Sequence, residues 1–203
     1  MANTIPTKSN LMALQKSLKL AKLGYELMDR KKNILIKELL SLSSNAKELR
    51  KEANDAYAKA YKNLLEASLT LGDISPFVSF TPIDDGINLS VRSVMGVELP
   101  EIHAKKSRTY PYFGFSGTGP CLDRAYIGFE RAKELTAKLA AAESDVCRLA
   151  DAVRKTQKRA NALSNVQIPA LTEQIKTISE ALDEKEREDF SRMKVIKRQK
   201  EKS

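Results

Sequence analysis

The chain has 203 residues, no tryptophan, 6% aromatic and 30% charged residues, which is thin material for a thick globular core and ordinary material for helices packed along a narrow seam. Its net charge of +9 suits nucleic acid, an anionic membrane surface or an acidic protein partner, but no zinc finger, aromatic-studded sheet motif or bZIP arrangement supports the first. No run approaches the roughly 20 apolar residues of a bilayer span, and Cys121 and Cys147, with no CxxC and a polar start instead of a signal region, read as reduced thiols of a cytosolic protein.

From about Leu11, apolar residues recur at alternating steps of three and four. One row is Leu11, Leu18, Tyr25, Lys32, Leu39, Ala46, Ala53 and Ala60, and its companion is Leu14, Ala21, Met28, Leu35, Leu42, Leu49 and Ala56. Such spacing holds one stripe against one partner helix. It predicts a helix to about Leu71, roughly 90 Å at 1.5 Å per residue. Lys32 interrupts the row, and two readings stand side by side: a stem packed along the seam with its charge in water, or a polar register marker. Leu20, Leu27 and Ile34, with Leu23 nearby, form a second row that calls for contacts beyond one partner helix.

The middle, Gly72 to Pro120, changes character. Pro76, Pro82, Pro100, Pro111 and Pro120 fall among β-prone residues, and Ile87, Leu89 and Val91 alternate with polar neighbours. Val94-Met95-Gly96-Val97 turns the chain before Glu98-Leu99, which predicts a short β-hairpin. Residues 105–120 read as a loop. From about Leu122 helical spacing returns through Ala125, Gly128, Ala132, Leu135, Leu139, Ala142, Val146, Leu149, Val153, Thr156, Ala160 and Leu163. After Asn165-Val166-Gln167 the register slips by one and resumes at Ile168, Leu171, Ile175, Ile178 and Leu182, with Pro169 at the slip, where a kink is expected. Beyond Leu182 an acidic block, Asp183 to Asp189, precedes a basic one holding Arg192, Lys194, Lys197, Arg198, Lys200 and Lys202.

The expected fold is all-α, a long antiparallel two-helix coiled-coil hairpin with a small β-hairpin and loop insert at its turn end. Residues 1–71 form the first helix, 72–120 the insert and 121–203 the second helix, within one elongated domain. The seam is expected to hold Leu11, Leu14, Leu18, Leu35, Leu39, Leu42, Leu149, Val153, Ile168, Leu171, Ile175, Ile178 and Leu182. With straight, close-packed helices, facing residue numbers total about 193. That sets Leu18 against Ile175 and Gly24 against Pro169.

The sequence offers no catalytic, cofactor-binding or metal-binding set. His103 is the only histidine, too little for a His-based metal cluster, and reads as a surface residue. Gly114 to Pro120 imitates a phosphate loop but lacks its GK[ST] ending. Asp84-Asp85 beside Gly86 favour a turn. The interaction candidates are the basic residues Arg30, Lys31, Lys32, Lys194, Lys197 and Arg198, suited to weak, screened attraction to acidic surfaces.

Three stretches carry a resemblance. They are Pro6-Thr7-Lys8-Ser9-Asn10-Leu11 followed by Gly24-Tyr25-Glu26-Leu27-Met28-Asp29-Arg30-Lys31-Lys32-Asn33-Ile34-Leu35; then Lys155 to Pro169; then Glu184 to Lys197. Together with the helix–insert–helix order they resemble the D subunit of the V-type (A/V-type) rotary ATPases and ATP synthases. Asp29 and Ser164 depart from the basic and acidic residues usual there, and the insert is unmatched motif by motif. The resemblance implies a non-catalytic rotor shaft whose paired terminal helices enter a ring of A and B subunits. It implies further that the insert end meets the F subunit and the subunit capping the membrane rotor ring, and that rotation couples ATP synthesis or hydrolysis to ion transport. The protein would then be cytoplasmic and peripheral to the membrane, with no direct insertion, no cofactor and no nucleic-acid partner. The competing reading is a coiled-coil scaffold or tether without a rotary role.

Overall fold

The structure is a computed structural model that describes residues 5–79, 86–104, 113–114 and 116–201. The elements in chain order are α1 (Lys8–Leu71), α2 (Ser75–Val78), β1 (Ile87–Val94), β2 (Val97–Ala104), α3 (Pro120–Ala162), a π-helical turn (Leu163–Gln167) and α4 (Ile168–Lys200). They group into two compact units, one of residues 1–33 with 154–203 and one of residues 34–153. The all-α hairpin with a two-stranded insert is thus the observed fold class. Asp84-Asp85 and most of the 105–120 loop lie outside the described residues.

Helix ends follow local chemistry. Thr7 Oγ1 accepts the Asn10 N–H at 3.2 Å, satisfying one of the donors a helix N-terminus leaves free. Gly72, at φ 75°, ends α1, and its N–H reaches the Ser68 carbonyl at 3.0 Å, a left-handed cap that glycine adopts without steric cost. Helix α3 opens on Pro120 with Asp123 in its first turn, where a missing N–H costs nothing and a negative charge meets the helix dipole favourably.

In the first unit, α1 residues run antiparallel to residues of α3, the π turn and α4. Thr156, Ala160 and Ile178 are buried; Leu11, Leu14, Leu18, Ile168, Leu171, Ile175 and Leu182 are half-buried. The Ile168 N–H bonds the Leu163 carbonyl, five residues back rather than four. Pro169 supplies no N–H and its ring crowds the preceding turn; widening that turn by one residue accommodates it. The one-residue slip in the apolar pattern is therefore a π turn.

In the second unit the helices approach on small residues. Ala53, Ala60 and Ala67 of α1, seven apart, and Ala125 and Ala132 of α3 are all buried. A Cβ built on Gly128 would stand 3.2 Å from both Ala60 Cα and Ala60 Cβ, so glycine there permits near-backbone contact. Around the far end of this pairing, Leu35, Leu99 and Leu149 are fully buried, with Leu39, Leu42, Val94, Val97, Ala152 and Val153 packed on them. One cluster thereby joins α1, α3 and the β-hairpin.

The expected register needs correction. Gly24 faces Leu163, whose Cδ1 is 3.8 Å from its would-be Cβ, rather than Pro169, and Gly128 faces Ala60. These close contacts join residue numbers totalling 187 and 188. Pairs totalling 193 or 194 do exist, but each rests on at least one long polar side chain: Lys8–Glu186 at 2.7 Å, Arg50–Glu143 at 2.6 Å and Thr136–Tyr57 at 3.0 Å. Helical side chains lean toward their own N-terminus. In an antiparallel pair the two leans are opposed, so long chains meet partners a few residues beyond the backbone level. Ala60→Cys with Gly128→Cys, in a Cys121→Ser, Cys147→Ser background, is accordingly expected to close a disulfide: its Cβ atoms sit roughly 3.5–4.5 Å apart, so the helices need part only by a few tenths of an ångström from the 3.2 Å approach. Ala60→Cys with Lys133→Cys, one residue past the Ala132 that the expected register sets against Ala60, is expected to stay reduced on a non-reducing gel.

Strands β1 and β2 pair antiparallel from Ile87↔Ala104 to Val94↔Val97. Met95 and Gly96 make the two-residue turn with φ of 51° and 77°, the mirror-image turn that matches strand twist. The alternation is observed with its apolar row turned outward: Ile87, Leu89 and Val91 are exposed, while Val94, Val97 and Leu99 pack inward.

Candidate interaction surfaces

Among the described residues no group of three or more His, Cys, Asp or Glu is placed to hold a metal, and no helix is long and apolar enough to cross a membrane. The candidate features are surfaces. On α1 in the first unit, Leu20, Leu23 and Leu27 are 64%, 52% and 62% exposed, so the second apolar row finds no cover among the described residues. Beside it Arg30 is exposed and Lys31 half-buried. The Lys32 side chain is only 20% exposed, and its ammonium meets the Asp29 carboxylate at 2.5 Å. Its charge is answered on its own helix rather than by water alone. The Lys32 hydrogen bond holds the Asp29 carboxyl below the usual range.

The end of α4 is a second surface. Glu186 reaches Lys8, and from Asp183 onward every described residue is exposed. Lys194, Lys197 and Arg198 lie on this segment together with Phe190, Met193, Val195 and Ile196, each more than half exposed. Its ion pairs are local and loose: Arg192–Glu188 at 3.6 Å and Lys197–Glu201 at 3.9 Å. Lys32 pairs within α1 and Lys197 within the end of α4.

Two features of the second unit escape sequence reading. One is an open apolar cavity of about 220 Å³ lined by Leu64, Ile74, Phe77, Phe113, Tyr126 and Phe129 among others, where Phe113 meets Phe77 and Tyr126 edge to face. The other is Asp145 on α3, whose side chain is 7% exposed beneath the β-hairpin. Arg92 Nη2 donates to its Oδ2 at 3.4 Å, while Oδ1 is buried without a hydrogen-bond partner. Burial pushes its carboxyl up, against the opposing pull of Arg92 and Arg148. His103, read as a surface residue, is exposed on β2 and shares a 2.9 Å hydrogen bond with Ser90 across the hairpin.

Comparison with known proteins accounts for this arrangement of long paired helices around a small insert. The family model for the D subunit of ATP synthase matches residues 10–198, which takes in both helical arms and the insert. The chain is 41% identical to the D subunit of the V-type ATP synthase of Thermotoga neapolitana over 95% of its own length and 96% of the relative's. It is 36% identical to the D subunit of the A-type ATP synthase of Thermococcus sibiricus, covering 95% and 92%, and 36% identical to that of Methanoregula boonei, covering 95% and 94%. With near-complete coverage on both sides, the chain belongs to the family of ATP synthase D subunits.

Proposed function

We propose that this protein is the non-catalytic central-stalk shaft of a V-type ATP synthase or ATPase. It turns within a ring of A and B subunits and so links ATP synthesis or hydrolysis to proton or sodium transport. The observation that carries this reading is the family match over both arms of an antiparallel helix pair. The helix pairing supports it physically, because two helices locked by a seam resist unwinding better than one. The exposed end of α4 supports it too: most helical stability comes from packing of one face, and from Asp183 onward no described face is packed, so this segment calls for a surrounding assembly. In this reading Lys194, Lys197, Arg198 and the Arg30–Lys32 block face acidic ring surfaces. The insert end meets the F subunit and the subunit capping the membrane rotor ring. The protein then works on the cytoplasmic side, peripheral to the membrane.

The test is a reversible tether in the assembled complex. A cysteine replacing Lys197 is oxidised to an engineered cysteine on an adjacent ring subunit, and ATP hydrolysis and ATP-driven ion transport are followed. Both are expected to stop on oxidation and return on reduction. If both continue with the crosslink closed, the chain does not rotate against the ring, and the scaffold or tether reading replaces the shaft.

A further inference from the structure

We infer that the β1–β2 hairpin is a detachable arm and that the buried carboxylate of Asp145 is its release catch. The hairpin is held on the second unit by three kinds of contact. Leu99, with Val94 and Val97, fills the cluster with Leu35 and Leu149; Arg148 Nη1 donates to the Glu98 carbonyl at 3.0 Å; and Arg92 reaches Asp145. The first two favour docking outright. The third is different, because it takes a carboxylate out of water and satisfies only one of its oxygens. A single long hydrogen bond from a part-exposed guanidinium compensates poorly for that desolvation.

The groups facing Asp145 are Arg92 from β1, Glu101 from β2 and Arg148 from its own helix, and α1 brings the apolar Leu35, Leu39 and Leu42 to the adjoining cluster. Glu101 opposes the ionised form and the two arginines favour it, with burial the largest influence. The carboxyl pKa is therefore raised when the hairpin is docked, and the sign of the linkage follows. Docking is strongest when Asp145 is protonated, below the ordinary carboxylate range. It weakens as pH rises through the raised pKa, and the arm is at its loosest once the carboxylate is fully ionised. A neutral residue of the same shape would hold the hairpin better, so the charge makes attachment conditional. The hairpin also carries apolar residues on both faces, Leu99 and Val94 inward and Leu89 and Val91 outward, and release bares the inward set.

The inference rests on the chain alone and is tested without the complex, so it stands or falls apart from the shaft reading. In the full chain with Cys121→Ser and Cys147→Ser, the labelling rate of Leu99→Cys by a small thiol reagent reports opening. Each rate is divided by that of the denatured chain at the same pH, which removes intrinsic thiol reactivity. The normalised rate is expected to rise several-fold from the carboxylate range to neutrality, as the raised carboxyl of the docked form loses its proton. Adding Asp145→Asn is expected to slow labelling by a similar factor and flatten its pH dependence, and Arg92→Gln to steepen it. Because Leu99→Cys itself loosens the cluster, the melting temperature of Asp145→Asn in the otherwise unaltered chain is the second measurement. It is expected to exceed the parent's at neutral pH and to match it in acid. A pH-independent labelling rate in the parent, or an Asp145→Asn chain that labels faster or melts lower at neutrality, overturns the catch.

Discussion

Leu149→Ala is expected to destabilise the protein by about 3 kcal/mol, within the range for removing a large aliphatic side chain from a closed core. Leu149 is fully buried and its neighbours come from three elements, α1, α3 and the hairpin. A void at such a junction collapses poorly, because closing it from one side opens it on another. Thermal unfolding followed by circular dichroism should show a drop of roughly 6–12 °C for a chain of this size. The control is Leu65→Ala, at a side chain 63% exposed, where the change should stay within about 0.5 kcal/mol. Equal losses at the two positions would remove the junction from its place as the principal core of the second unit.

Gly128→Val is expected to cost about 2 kcal/mol, although valine is the better helix former. The propensity gain over glycine is a few tenths of a kcal/mol, against about 1–3 kcal/mol for forcing atoms into a packed interface. The first added carbon already meets Ala60 Cα at 3.2 Å, and backbone moves only if its helix moves. Gly24 offers the opposite outcome. Its nearest obstacle is the end of the Leu163 side chain at 3.8 Å, ordinary contact, so Gly24→Ala should stabilise by about 1 kcal/mol through helix propensity alone. Urea unfolding of the two single variants distinguishes them by sign. Stabilisation by both would mean that the close approach at Gly128 gives way at no cost.

The helical arms are legible in the sequence because burial along a seam imposes a period that runs on for dozens of residues. Even the slip near Asn165 is readable, since an extra residue in one turn displaces every later apolar position by one. The turn at Met95-Gly96 is readable from the glycine set between the apolar Val94-Met95 and Val97. The register is not fully readable. The lean of side chains along an antiparallel pair separates the level at which Lys8 finds Glu186 from the level at which Gly128 finds Ala60. Helix α2 escapes a periodicity reading, although a local signal is present: Asp73 Oδ1 accepts the Ser75 N–H at 3.0 Å, and Pro76 sits in the first turn, a pattern that opens helices. Four residues are simply too few to show a period. Asp145 gives no signal at all, because one acid beside an apolar row looks solvated until a distant hairpin folds over it. The basic candidates are visible as charge, but what they meet depends on surfaces that this chain does not contain.

The widened turn at Leu163–Gln167 also bears on how such chains can differ from one another. Proline at 169 and the surplus residue are mutually dependent: the ring makes an ordinary turn untenable, and the surplus residue has no purpose once the ring is gone. Deleting one residue between Ser164 and Gln167 while keeping Pro169 would drive the ring into the backbone one turn earlier. Replacing the proline alone would leave a bulge with nothing to accommodate. Only the paired change returns a continuous helix with the Ile168–Leu182 row still on its proper face. Along a lineage, gain or loss of this proline should therefore travel with a one-residue gap in the same turn, so that what looks in an alignment like an isolated indel is half of a compensated step.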